Sequence, residues 1–254
     1  MSVRFSPTNL ARTAASITAS SSDGQYPVAN VKSANKPHQP WKSTALGDQW
    51  ILIDHGSAKA VDVFALINGN VTSVRCQANA TDSWGGALGY DQLVTVGQSP
   101  SDMYQHGHRA ASPQFFRYNR IFIPSQATTD GASQYKVGAL WLGAVTTPPQ
   151  DLLVEPDEET PEPFHEERPG HGGWVERTAM GYKRFLLSAI RYARSEGDLA
   201  AWRAIEQAWP AAGYALVLLR DAYPAETFVM QRQPATWRHG RVYMESPLEA
   251  EELV

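Results

Sequence analysis

"QPWKSTALGDQWILIDHGSAKAVDVFALIN", residues 39–68, is the stretch whose reading decides the fold. Gln49–Asp54 and Ala60–Asn68 read as two β-strands joined by a short Gly-Ser turn. In the first, Ile51 and Ile53 share one face and Leu52 takes the other, so the strand is covered on both sides for part of its length. In the second, Val61, Val63, Ala65 and Ile67 share a face, with Asp62, Phe64 and Leu66 opposite. Gly56 supplies the backbone freedom needed to reverse the chain after Asp54. Trp41 is expected to cover one end of the core, while Lys42 and Ser43 lead into a turn. Nothing in the stretch has catalytic character; it specifies a fold.

Working outward, "VTSVRCQAN" continues as a strand in which Val74, Cys76 and Ala78 share a face, which makes Cys76 a small core hydrophobe. "FFRYNRIFIPS" alternates Phe116, Tyr118, Arg120 and Phe122 against Phe115, Arg117, Asn119, Ile121 and Ile123. "YKVGALWLGAV" adds a closing strand with Val137, Leu140, Trp141, Leu142 and Val145. Short strands spaced by turn-rich segments, with no long helix, predict a mainly β first domain over residues 1–147, a β-sandwich of jelly-roll type.

Composition then changes. Residues 148–173, "PPQDLLVEPDEETPEPFHEERPGHGG", set eight carboxylates against one arginine, and the prolines oppose both helix and ladder pairing. This predicts a solvated linker. Residues 174–254 read as a small α+β domain. "YKRFLLSAIRYA" is strand-like, and "DLAAWRAIEQAW" places Leu199, Trp202, Ile205 and Trp209 near helical spacing, with Asp198 as the expected cap and Pro210 as the stop. "GYALVLLRD", "ETFVMQRQ", "TWRHGRVYME" and the chain's end supply further strands.

The whole-chain quantities exclude several classes. A chain of 254 residues accommodates two domains, and a net charge of −4 without a basic stripe argues against a nucleic-acid binder. A single cysteine forms no intramolecular disulfide. The N-terminal stretch lacks the apolar core of a secretory signal, and no run approaches the ~18 apolar residues of a membrane span. The expectation is a soluble protein made in the cytoplasm, in which the Asn70 and Asn79 glycosylation triplets are chance matches. No nucleophile elbow, Walker loop, dinucleotide fingerprint or zincin motif occurs, so no enzymatic activity and no cofactor are expected. His106-Gly107-His108 offers two metal-ligand imidazoles and His165 and His171 lie near carboxylates, but no ligand set is complete and no metal is assigned. Asp54 and Asp62, expected on adjacent strands, receive no catalytic role.

The series "YPVANVKSANKPHQPWKS", "QWILIDHGSAKAVDVFALIN", "FFRYNRIFIPS" and "YKVGALWLG", over residues 25–146, resembles the discoidin or coagulation-factor C-type domain of the galactose-binding-like superfamily. The resemblance implies ligand binding by loops at one end of the sandwich. It points to Trp84, Tyr90, Tyr104, His106, His108 and Arg109, in "ATDSWGGALGYDQ" and "SPSDMYQHGHRAASPQ", as candidate sugar contacts. Aromatic faces stack on the apolar C–H patch of a sugar ring, while Asp and Arg bond its hydroxyls. The competing reading is that these side chains pack the loops onto their own domain or a neighbouring subunit. Many such domains also hold a structural calcium through backbone carbonyls, which sequence does not reveal.

The arrangement of the Val-Gly-Ala-Leu-Trp-Leu-Gly strand, acidic connection, Gly-Gly-Trp restart and strand-helix-strand unit further resembles minor tail or baseplate proteins of tailed bacteriophages. That resemblance implies a structural component of the virion, at the tail tip or baseplate, assembling as an oligomer with other tail proteins and touching a host-surface glycan. Trp174 and Trp237 are its expected partner contacts; Trp202 and Trp209 are read as core. The alternative function is a carbohydrate-binding module that targets a partner to a cell-surface glycan.

Overall fold

The structure is a computed structural model that describes residues 4–34, 38–96, 105–149, 155–159, 165–170, 173–178, 184–193, 195–210, 214–218, 227–232, 238–239 and 244–252. The chain is mainly β. Its N-terminal part contains β1 (Arg4–Ser6), β2 (Ser16–Ala19), a short 3-10 helix (Val28–Lys32), β3 (Trp41–Lys42), β4 (Gln49–Gly69), β5 (Ser73–Asn79), β6 (Tyr90–Thr95), β7 (Gln105–Ile123) and β8 (Lys136–Gly143). It continues with β9 (Glu155–Glu159), β10 (His165–Gly170), β11 (Gly173–Thr178), β12 (Arg184–Ala193), α1 (Glu196–Ala208), β13 (Tyr214–Leu218), β14 (Thr227–Arg232), β15 (Arg238–His239) and β16 (Met244–Glu252).

One antiparallel sheet runs β3-β8-β4-β7-β5-β6, with β2 also on β4. Its two longest strands carry it around the core. The first half of β4 pairs with β2 and β7, and the second half pairs with β7 and β8. Side chains from both halves, Ile51 and Ile53 with Phe64 and Leu66, meet Val74, Cys76, Ile121, Leu140 and Leu142 in one buried cluster. The result is the jelly-roll sandwich expected from the alternating short strands.

The reading of residues 49–68 as two strands around a reversal is corrected. Gln49–Gly69 is a single strand, and both of its halves face the same partner, β7. Between Asp54 and Lys59 the register slips, and Gly56 sits there at φ 75°. The glycine supplies left-handed backbone, but for a bulge that bends the strand. A second slip, between Val61 and Val63, also changes the faces. Val61 joins the sandwich core with Phe64 and Leu66, while Val63, Ala65 and Ile67 point the other way.

That other face explains why residues 63–67 are apolar at every position. Val63, Ala65 and Ile67 of β4 and Ala139 and Trp141 of β8 pack against Leu216 and Leu218 of β13. A strand covered on both faces has no polar side to present, so period-two alternation disappears.

The second sheet runs β1-β13-β14-β16-β12-β9, with β15 on β16, and β10 and β11 form a separate two-stranded ladder. β1 therefore belongs to the sheet formed by the C-terminal part, pairing Phe5 with Val217. Phe5 also exchanges backbone hydrogen bonds with Thr146, at 3.0 and 2.6 Å. A few residues on, the chain crosses β8: Asn9 Nδ2 donates to the Leu140 carbonyl at 2.9 Å and the Leu10 N–H to that of Leu142 at 2.7 Å. Gly143 lies at this crossing, where a Cβ would collide with the Thr8 carbonyl and the Ser6 hydroxyl. A division at residue 147 thus describes sequence order, whereas the N-terminal strand sits across it. Likewise the acidic stretch 148–173, read as a linker, contains β9 and β10; β9 pairs along β12, setting Glu159 opposite Arg184.

The helix forms where its periodicity placed it, but the cap differs. Ser195, not Asp198, is the N-cap: its hydroxyl accepts the Asp198 N–H at 3.1 Å, and Glu196 and Asp198 sit in the positive first turn. Trp202, Ile205 and Trp209 are buried, so their reading as core holds. Trp174 lies on β11 as a backbone position, and Trp237 lies outside the described residues. Among the described residues no helix is long and apolar enough to cross a membrane.

His55, at the start of the first bulge, is 9% exposed, and burial pushes its imidazole from 6.5 down to about 4. Below pH 6.5 the unfolded chain binds this proton and the folded chain does not, so stability falls as pH drops from 6.5 to about 4. The expected loss is about 3 kcal/mol from this group. Asp54 titrates lower: its bonds to Arg117 hold the carboxyl at about 2, so its contribution is present above 3.8 and is lost only on further acidification. Urea midpoints measured at closely spaced pH values will show the upper phase, and His55→Gln will flatten it. An unchanged slope in the variant would remove His55 as the cause.

Candidate functional site

The outer face of β4, β5, β6 and β7, turned away from the sandwich core, carries an ordered set of charged and aromatic side chains. Alternation puts Cys76 and Ala78 inward and Arg75 and Gln77 outward on β5; on β7 it puts Ile121 inward and Arg120 and Phe122 outward. Register then aligns Arg75 with Phe122, and Gln77 with Arg120 on one side and Asp91 on the other.

The polar groups form a chain of bonds. Arg75 grips Asp91 through two parallel bonds of 2.9 and 2.7 Å, the bidentate geometry that suits a guanidinium and a carboxylate. Gln77 donates from Nε2 to Asp91 at 3.1 Å and accepts Arg120 Nε at 2.7 Å through Oε1. The Arg75 bond is the main reason that the Asp91 carboxyl is held below its ordinary range. The Arg120 guanidinium lies over the Trp84 ring, 4.2 Å from its centroid, and 5.4 Å from that of Phe122. Trp84 Nε1 in turn donates to Asp82 Oδ1 at 2.7 Å. The loop carrying Trp84 is tied down by Asn79, whose Nδ2 donates to the Ser83 carbonyl at 2.7 Å. Further along the face, Arg117 makes a second bidentate pair with Asp54, both bonds 2.8 Å, and stacks on Tyr118.

A partly exposed indole is thereby fixed by a cation against its ring and a carboxylate on its N–H. Such a platform can receive a flat apolar ligand surface, and the neighbouring Arg and Asp groups can bond its polar rim.

Of the six residues named as sugar contacts, Tyr90 and His108 touch each other while Trp84 has other partners. Trp84 is on the platform. Tyr90, on β6, is half-buried: its hydroxyl lies 2.7 Å from His108 Nε2, and its ring stacks on Phe64 at 5.9 Å and 8°. His106, His108 and Arg109, expected in a loop, are residues of strand β7 opposite Leu66, Phe64 and Val63. Burial pushes the His108 imidazole down and raises the Tyr90 phenol to about 12. The cavity that His108 lines with Phe64, Cys76 and Ile121 is about 10 Å³, too small for a sugar. For Tyr90 and His108, packing within the domain is the observed role. Arg109 lies near the buried Asp62 carboxylate, which accepts the Val145 N–H at 2.6 Å and whose pKa burial raises. Tyr104 lies outside the described residues.

Asp54 and Asp62, expected on adjacent strands, lie on the same strand, β4, with separate partners. No group of three His, Cys, Asp or Glu capable of holding a metal occurs among the described residues. The Cys76 thiol is buried in the core and its pKa is pushed up by that burial, as suits a packing role.

The residues that complete the platform, Arg75, Gln77, Asp82, Asp91 and Arg120, were not singled out from the sequence. The alternation in "VRCQAN" and "RYNRIF" carried half of the signal, by placing them opposite core residues. The pairing register that brings them together is non-local.

No protein-family model matches the chain, and no curated protein matches it. Solved structures with a similar course include carbohydrate-binding modules and stretches of GH29 fucosidases. One is chitosan-binding module 1 from a chitosanase/glucanase of Paenibacillus sp. IK-5, with a TM-score of 0.40 and 21% identity over 54% of this chain and 99% of that one. Another is a fucose-binding module from Streptococcus pneumoniae, with a TM-score of 0.42 and 10% identity over 54% and 98%. A third is the family 32 module of NanJ from C. perfringens in complex with galactose, with a TM-score of 0.41 and 16% identity over 55% and 98%.

Proposed function

We propose that the sandwich is a carbohydrate-binding module, directing the chain or its partner to a glycan surface, with Trp84 as the stacking platform. The observation that carries this reading is the fixation of the indole by Asp82 and Arg120 beside the Arg75-Asp91-Gln77 network. Ordering these groups before a ligand arrives removes much of the entropy cost of binding.

The test is glycan-array binding followed by calorimetry on the full chain. Trp84→Ala is expected to lower affinity by tenfold or more, since a lost aromatic face is worth roughly 1.5–3 kcal/mol. Tyr90→Phe should leave affinity unchanged. Equal binding by Trp84→Ala and the parent would sink the platform.

A second reading, a structural component of a bacteriophage tail tip or baseplate, is favoured by a different observation. Phe115 on β7 stands 67% exposed and Leu93 on β6 52% exposed, apolar surface that suits contact with neighbouring subunits. Sedimentation velocity and electron microscopy of co-purifying particles separate the two: a ring of copies supports assembly, a glycan-binding monomer the module.

A further inference from the structure

We infer that the Trp84 platform selects an uncharged saccharide by two adjacent hydroxyl groups, one bonded by the terminal nitrogens of Arg120 and the other by Asp82 Oδ2. This rests on the carbohydrate-binding reading and adds the class of sugar.

Three arginines, Arg75, Arg117 and Arg120, stand with three aspartates, Asp54, Asp82 and Asp91, so the patch is balanced. Two of the carboxylates are each consumed in a bidentate pair, Asp91 with Arg75 and Asp54 with Arg117. Arg120 and Asp82 remain. They feel each other's charge but make no ion pair among the described residues.

Each of the two is committed on one side only. Arg120 spends Nε on Gln77 and its ring face on Trp84, while its terminal nitrogens hold no hydrogen bond among the described residues. Asp82 spends Oδ1 on Trp84, and its Oδ2 holds none among the described residues. A forked donor over the ring face and a lone acceptor at its N–H edge therefore flank the same indole.

Ligand chemistry follows from that pairing. A hydroxyl both donates and accepts, so two neighbouring hydroxyls satisfy the arginine and the carboxylate together. An acidic sugar would satisfy Arg120 but set a second negative charge against Asp82. An amino sugar would do the reverse against Arg120. Asp82 is exposed and Arg120 partly so, and the mismatched charge is expected to weaken binding severalfold. Gln77, 5% exposed, holds Arg120 in place, which makes it a positioning residue for the site.

The experiment compares the full chain against three probe sets: neutral hexose and deoxyhexose oligosaccharides, hexuronic-acid oligosaccharides and glucosamine oligosaccharides. Each is titrated by calorimetry at low and at high salt. The expected result is binding of a neutral set, changed less than about twofold by salt because no net charge is exchanged. Asp82→Asn, which keeps an oxygen for Trp84 Nε1, should weaken the neutral sugars severalfold and shift preference toward the uronic set, with an unchanged melting temperature. Tighter, salt-sensitive binding of an acidic or amino set by the parent, lost in Trp84→Ala, would overturn this selectivity and leave the carbohydrate reading standing. Binding of none of the three would remove both.

Discussion

Replacing Phe5 with alanine is expected to lower the stability of the whole chain by about 3–5 kcal/mol, the cost of deleting a fully buried aromatic ring. Phe5 has no exposed surface, and its ring lies 5.6 Å from Trp209 and 6.5 Å from Trp202, centroid to centroid. A short edge strand contributes little by its ladder alone; its hold comes from this one anchor and from the exchange of bonds with Thr146. Urea unfolding followed by tryptophan fluorescence measures the effect directly, because two of the reporters are the contacts themselves. The midpoint should move down by about 1–2 M for a chain of this size. A loss below about 1 kcal/mol would mean that β1 does not clasp the C-terminal helix and sheet. A variant lacking residues 1–6 should reproduce the loss, and it should expose the apolar face of Val63, Ala65 and Trp141 if β13 detaches.

The second large effect is at Trp41. Its side chain is fully buried, and its Nε1 is shared between the Ser21 carbonyl and the Ser22 hydroxyl, both at 3.0 Å. Trp41→Ala removes the largest side chain at that end of the core and is expected to cost about 3–5 kcal/mol. Trp41→Phe keeps most of the apolar volume and loses the N–H, so it should cost only about 1–2 kcal/mol. The gap between the two variants separates packing from hydrogen bonding. Equal losses would show that the indole N–H, and the loop of Ser21 and Ser22 that it anchors, is the larger contribution.

Much of this protein was readable residue by residue. The alternation of Val74, Cys76 and Ala78 against Arg75 and Gln77 is a local consequence of the strand's period of two, and it correctly placed Cys76 in the core. The spacing of Trp202, Ile205 and Trp209 likewise gave a helix with a buried face. For the candidate site, Trp84 was named from the loops that the resemblance implies, whereas Tyr90 and His108, assigned to the same loops, lie on strands β6 and β7. Arg120 looked like an ordinary outward residue of its strand.

Sequence by itself determined what each residue could do locally: which side chains alternate, where a helix stops and that residues 63–67 are apolar throughout. Tertiary structure alone decided that the run from Gln49 to Gly69 is one bent strand, that its far side is covered by β13, and that β1 crosses from one sheet to the other. It also decided that Arg120 of β7 meets Gln77 of β5 and Trp84 of a loop. The physical reason is the same in each case. Hydrogen-bond ladders are blind to side-chain identity, so register between strands distant in sequence is set by the sum of burial over both faces, and no local pattern records that sum.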